Sequence, residues 1–160
     1  MMHTIQLPRQ TLDQRRSAHA WSAIKIIVTS TNPRYLEIDS TNQNRKIATD
    51  TGKKLGTEIK KLPVRVLTSG LGQAIAFLHA KETAPILEKI VAHWLLEDRP
   101  PSFDNATVLK GHDIIQEIMR SDAAILRDMT EETLAYLPWL CRFGEAVGLM
   151  ERPQELGAVQ

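Results

Sequence analysis

Leu71, Ala74, Ile75 and Leu78 fall at the i, i+3, i+4, i+7 spacing that places apolar side chains on one stripe of a helix. Similar stripes recur along the chain, and no strand-like run finds a second one to pair with. This periodicity confines the chain to an all-α fold. The stretch just before it, Lys60-Lys61-Leu62-Pro63-Val64-Arg65-Val66-Leu67-Thr68-Ser69, reads as the end of a basic helix. Gly70 can take the left-handed conformation that closes a helix, and Ser69 can cap the next. One end of this stretch is cationic and the other is core. What the cationic side touches is therefore the functional question.

The other helices are placed by the same signals. Thr11-Leu12-Asp13-Gln14 fits a capping box, and the first helix is expected to run to about Val28. Ser17, Ala20, Trp21, Ile24, Ile27 and Val28 fall on its inner face, with Arg15, Arg16 and His19 together on another. Residues 29–44 are polar and contain Thr31-Asn32-Pro33 and Ser40-Thr41-Asn42, the composition of a surface loop. A second helix from about Arg45 buries Ile47, Thr51, Leu55, Glu58 or Ile59, Leu62 and Val66. Pro63 should kink or end it, and Val64-Arg65-Val66-Leu67 is expected to continue as helix. A helix from about Thr83 to Glu97 tolerates Pro85 in its first turn and buries Leu87, Ile90, Val91, Trp94 and Leu95.

Asp98-Arg99-Pro100-Pro101-Ser102 is a break. Beyond it, a helix over Asp113 to Met119 turns Ile114, Ile115, Ile118 and Met119 inward. Ser121-Asp122 caps a short helix to about Asp128. Thr130 then caps a last helix, with Glu131 and Glu132 at its positive end and a kink expected at Pro138. The result is an all-α, single-domain bundle of about six or seven helices over 1–160, with a flexible arm at 1–10 and a frayed tail at 150–160.

Composition narrows the chemistry. Cys141 is the one cysteine, so an internal disulfide or a multi-cysteine zinc site is impossible; a reducing, cytoplasmic setting is expected. No apolar run approaches the ~20 residues of a membrane span, and residues 1–6 lack the blocks of a signal peptide. The formal net charge of +1 conceals an asymmetry. Residues 1–81 carry 13 Lys/Arg against 5 Asp/Glu, whereas residues 82–160 carry 7 against 14. Such a dipolar chain suits a polyanion on one side and protein on the other.

The cations have a pattern. Lys46, Lys53 and Lys60 repeat every seven residues, with Lys54 and Lys61 beside them, so a helix would present them as one stripe. Arg15 and Arg16 on the first helix and Arg65 at the end of the stripe complete a candidate phosphate-facing set. Aromatic residues are only 5% and fall mostly at core spacing, which leaves few for base stacking. Contact with nucleic acid would therefore be made to phosphates and be independent of sequence.

Catalytic patterns are incomplete. His112-Asp113 is similar to the HD phosphohydrolase signature, with His79 or His93 upstream and Asp122 or Asp128 downstream as further ligands. The downstream acid of that signature normally lies farther along, and nothing suitable follows Asp128. Ser69-Gly70-Leu71-Gly72 lacks the Lys-Ser/Thr ending of a P-loop and reads as a helix corner. Cys141 sits in the apolar last helix as a core residue. No metal or cofactor is implied.

Three stretches in order resemble a known family. They are Thr11-Leu12-Asp13-Gln14-Arg15-Arg16-Ser17-Ala18-His19-Ala20-Trp21; Lys60-Lys61-Leu62-Pro63 through Gly70-Leu71-Gly72-Gln73-Ala74-Ile75-Ala76-Phe77-Leu78; and Thr130-Glu131-Glu132-Thr133-Leu134-Ala135-Tyr136-Leu137-Pro138-Trp139-Leu140-Cys141-Arg142-Phe143-Gly144-Glu145-Ala146. Together they are similar to the small helical subunit of the type III-B CRISPR effector, the fifth subunit family of the Cmr RNA-silencing complex. The resemblance implies an all-α protein without catalytic activity of its own. It implies several copies stacked beside the backbone subunits, helping to hold the duplex of guide RNA and target RNA. An HD-type metal-dependent phosphohydrolase and a helical adaptor that touches only protein stand as alternatives.

Overall fold

The computed structural model describes residues 9–29, 34–81, 84–104 and 111–151, the side chains of 111–113 excepted. These residues form six α-helices and one two-stranded antiparallel sheet: α1 (Leu12–Thr29), β1 (Leu36–Ile38), β2 (Lys46–Ala48), α2 (Asp50–Ser69), α3 (Leu71–Lys81), α4 (Pro85–Leu96), α5 (Gly111–Arg120) and α6 (Ala123–Ala146). Most of the expected arm at 1–10 and tail at 150–160 lies outside the described residues.

The capping box of α1 forms in both directions. The Thr11 N–H donates to Gln14 Oε1 at 2.8 Å, and the Gln14 N–H donates to Thr11 Oγ1 at 3.1 Å. Ala20, Ala23, Ile24 and Ile27 make the buried stripe. Two expectations for this helix fail. Trp21 is 41% exposed, with its ring edge-on to Phe143. His19, expected on an outer face beside Arg15 and Arg16, is fully buried. The α-helical angle between positions 19, 20 and 23 is small enough for all three to share one face.

A hairpin takes β1 from the stretch read as a loop and β2, with Ile47, from the expected start of the second helix. Leu36 pairs with Ala48, Glu37 with Ile47 and Ile38 with Lys46. Three-residue strands are too short to show alternation, and that is why the sequence signal is missing. The hairpin also moves the start of α2 from Arg45 to Asp50. Thr49 is the N-cap, in extended conformation, with its side chain accepting from the Gly52 N–H at 3.0 Å. The Thr49 N–H donates to the Tyr35 carbonyl, which packs so close over Gly52 that a Cβ there would lie 2.0 Å from the oxygen. Only glycine fits.

Helix α2 runs through Pro63 without ending, and Val64-Arg65-Val66-Leu67 continues it as expected. Leu55, Ile59, Leu62 and Val66 are buried. Gly70 closes the helix at φ 83°, its N–H donating to the Val66 carbonyl, and its own carbonyl accepts from Ala74 as α3 begins. The Ser69-Gly70-Leu71-Gly72 segment is thus a helix–helix corner.

Asp122 caps α6, accepting from the Ile125 N–H at 2.9 Å. From there α6 is one helix of 24 residues, where the sequence suggests two. Thr130 is not a cap; its hydroxyl donates back to the Leu126 carbonyl at 2.7 Å. A hydroxyl residue can satisfy itself inside a helix in this way, so a Thr-Glu-Glu string alone does not mark a start. Met119, expected inward on α5, is 73% exposed. Helix α6 packs on α1 and α2; α2 packs on α3; and α4 and α5 pack against each other and α3. The largest buried side chains, Trp94 and Tyr136, stack at 5.1 Å between ring centroids where α4 meets α6.

Candidate nucleic-acid interface

The buried line of α2 fixes which of its residues face out. Lys53, Lys54, Thr57, Lys60, Lys61, Val64, Leu67 and Thr68 are all exposed and share one broad side of the helix. Its N-terminal half is cationic. Lys53, Lys54 and Lys61 have no side-chain ion pair or hydrogen bond to another described residue. Lys60 is tethered lightly, its Nζ donating to the Glu151 carbonyl at 3.0 Å. Lys46 is exposed but belongs to β2, so the seven-residue series is continuous on the helix only from Lys53. The C-terminal half of the same side is apolar: Val64 is 60% and Leu67 70% exposed. The spacing of Val64 and Leu67 from Lys60 carries that signal in the sequence.

The three arginines of the candidate set have structural partners. Arg65 donates to Glu58 Oε2, and its guanidinium carbon lies 4.0 Å from the centroid of the Phe77 ring. Lys81 donates to Glu58 Oε1 at 3.0 Å and flanks the same ring. Glu58 is buried. Burial alone pushes its carboxyl up, but the bonds from Arg65 and Lys81 reverse this and hold it below the ordinary value. The result ties α2 to α3 across the Gly70 corner.

Arg16 grips Glu132 with two bonds, Nε to Oε1 at 2.7 Å and Nη2 to Oε2 at 2.8 Å. The indole N–H of Trp94 donates to the same carboxylate at 3.1 Å. Glu132 is therefore a buried anchor joining α1, α4 and α6, not a helix-start acid. The Glu132 bond raises the Arg16 guanidinium further above its ordinary value. Arg15 donates to the Arg99 carbonyl at 3.2 Å, and its Nε is buried without a partner among the described residues.

His19, His93 and His79 are likewise engaged. His19 Nδ1 lies 2.7 Å from the Tyr136 hydroxyl, and His19 Nε2 lies 3.0 Å from His93 Nδ1. Burial pushes the Tyr136 phenol well up and keeps it protonated, so it can donate to Nδ1. His19 then carries its proton on Nε2 and donates it to His93. Burial first, and the neighbouring His93 second, push His19 down to about 3. His79 pairs with Glu88 at 3.1 Å. Asp122 is the α6 cap, and Asp128 pairs with Arg99. The residues that an HD signature would recruit are thus engaged with different partners, and the side chains of His112 and Asp113 lie outside the described residues. Among the described residues, no group of three or more His, Cys, Asp or Glu side chains is arranged to hold a metal. Cys141 is half-buried in α6, with its thiol pushed up by burial and by Glu145. No helix among the described residues is long and apolar enough to cross a membrane.

Residues 12–147 match the family described as CRISPR-associated protein (Cas_Cmr5). The fold is also similar to an X-ray crystal structure of a CRISPR-associated Cmr5 family protein from Thermus thermophilus. The TM-score is 0.60 at 20% identity, over 86% of this chain and 98% of that one.

Proposed function

The chain belongs to the Cas_Cmr5 family, the small helical subunit of the type III-B CRISPR Cmr complex, and from that membership we propose that it is a non-catalytic, RNA-holding part of that ribonucleoprotein. Its task is to steady the duplex of guide RNA and target RNA through phosphate contacts, in several stacked copies beside the backbone subunits. The observation that carries this reading is the outward cationic half of α2. Lys53, Lys54 and Lys61 stand exposed with no anionic partner among the described residues, and Lys60 beside them is held only by a backbone carbonyl. A lysine ammonium offers a point charge to a phosphate without reading a base. Lys46 stands just ahead of this face on β2. Arg15, Arg16 and Arg65 serve the fold, since their guanidiniums are tied to Arg99, Glu132 and Glu58.

The test is Lys53→Glu with Lys61→Glu in the assembled complex. Target RNA binding should weaken alike for all sequences, and its salt slope should shrink by about one for each phosphate that is no longer neutralised. Both positions are exposed, so the thermal midpoint of the isolated chain should stay put. Unchanged RNA binding by a correctly assembled complex would show that another face meets the duplex.

A further inference from the structure

We propose that the cleft between α1, the approach to β1 and the start of α4 binds a nucleotide: a phosphate joined to an aromatic heterocycle. It is a half-open cleft of about 260 Å³. Ile26 and Ile27 of α1, with Pro85 and Ile86 of α4, give it apolar walls; Tyr35, Arg34 and Lys89 complete the lining. Among the described residues no carboxylate lines it, so none of them neutralises its two cations within the cleft. Two cations beside an apolar floor select an anion with an apolar body. The volume lies just below the usual range of roughly 300–1,000 Å³ for small-molecule pockets, which suits one flat ring and its phosphate better than an extended chain. The Arg34 guanidinium carbon lies 5.6 Å from the centroid of the Tyr35 ring, and the planar guanidinium offers a further surface on which a heterocycle can stack.

The cleft is built on fixed backbone. The Thr49 hydroxyl donates to the Arg34 carbonyl at 2.6 Å, and the Thr49 N–H donates to the Tyr35 carbonyl at 3.0 Å. The Tyr35 carbonyl in turn sits in the space left by Gly52. Arg34 and Tyr35 are therefore positioned by the cap of α2, without needing a ligand to order them. None of the α2 lysines lines the cleft, so this site stands apart from the duplex-holding reading.

The same chemistry is offered by a free nucleotide and by one residue of an RNA strand, and the experiment separates them. The ¹⁵N-labelled full chain is titrated with adenosine monophosphate, with a four-residue oligoadenylate RNA, and with inorganic phosphate. Either nucleotide ligand should move the amide resonances of Ile26, Tyr35 and Ile86 saturably, and which one does so identifies the source. Arg34→Gln with Lys89→Gln should weaken that binding by about tenfold or more, as expected for losing charged hydrogen bonds. Both residues are exposed, and Arg34→Glu with Lys89→Glu is a second variant if the first fails to fold. Lys53→Glu with Lys61→Glu should leave adenosine monophosphate binding unchanged, which keeps the outcome independent of the duplex reading. The proposal is overturned if neither nucleotide moves those resonances, if inorganic phosphate reproduces the full pattern, or if the Arg34/Lys89 variants bind as the parent does.

Discussion

Glu132 holds three elements together through one carboxylate, and its surroundings predict what its loss does. Changing Glu132→Ala removes the acceptor for Arg16 and for the Trp94 indole at once. The partly buried Arg16 then keeps only the exposed Asp13 carboxylate at 3.5 Å, and the loss should approach the roughly 3–5 kcal/mol of a broken buried pair. Urea unfolding should show it, and Arg16→Ala should fail comparably from the opposite side. The His19 cluster gives a second residue-scale prediction. His19 is held at about 3 in the fold and returns to its ordinary 6.5 on unfolding. The unfolded chain therefore binds the extra proton between those values, and stability is full above pH 6.5 and declines below it. His93, lowered by burial against the pull of Glu97 and Asp104, acts in the same direction. The His19 contribution lost by about pH 5 is roughly 2 kcal/mol. Chemical denaturation at about pH 7 and about pH 5 measures it, and a flat profile would refute the buried neutral state. None of this was legible in the sequence. Arg16, His19 and Glu132 looked like surface residues because polar side chains usually are, and only the fold brings positions 16, 94 and 132 together.

At the level of elements, local signals read well wherever the cap and the stripe agreed. The capping box of α1, the corner at Gly70, the proline start of α4 and the Asp122 cap of α6 all follow from short-range chemistry. The fold departs from the local signals where these are ambiguous. Thr130 could cap or bond backwards, and packing of α6 against α1 and α2 favours the unbroken helix. The three-residue strands carried no period to detect. Their attachment is nevertheless demanding, because Gly52 accommodates the Tyr35 carbonyl. Gly52→Ala forces that carbonyl away, breaks the bond from Thr49 and should cost about 1–3 kcal/mol, the usual range for overpacking. A lowered melting midpoint with displaced amide signals for residues 35–38 and 46–49 is the expected result.

Across the whole molecule, the excess of cations in residues 1–81 is thinned by internal pairing. Arg16, Arg65 and Lys81 face carboxylates within the fold, which leaves the α2 lysines as the main exposed cationic face of the described helices. The seven-residue series in the sequence pointed to this face, although its first member proved to lie on a strand. On the proposed reading one chain would offer few phosphate contacts, and an isolated copy should hold duplex RNA weakly. With the lysines of α2 engaged, the logarithm of affinity should fall against the logarithm of salt with a slope no steeper than about −4. Fluorescence anisotropy between low and moderate salt gives that slope directly, and a much steeper one would require a larger surface.

The small hairpin has a practical use as well. It is anchored at its base, through Thr49, Arg34 and Tyr35, whereas among the described residues its turn is held by short-range bonds in which the Asp39 and Asn42 side chains accept from Thr41 and Asn44. Lengthening an exposed turn is cheap: each doubling of a loop adds only about 0.6 kcal/mol of closure entropy. A peptide epitope or fluorophore acceptor sequence spliced between Asn42 and Gln43 would leave the Gly52 socket, the lysines and the Arg34 cleft in place. The turn is therefore a natural handle for tracking this subunit inside a working assembly.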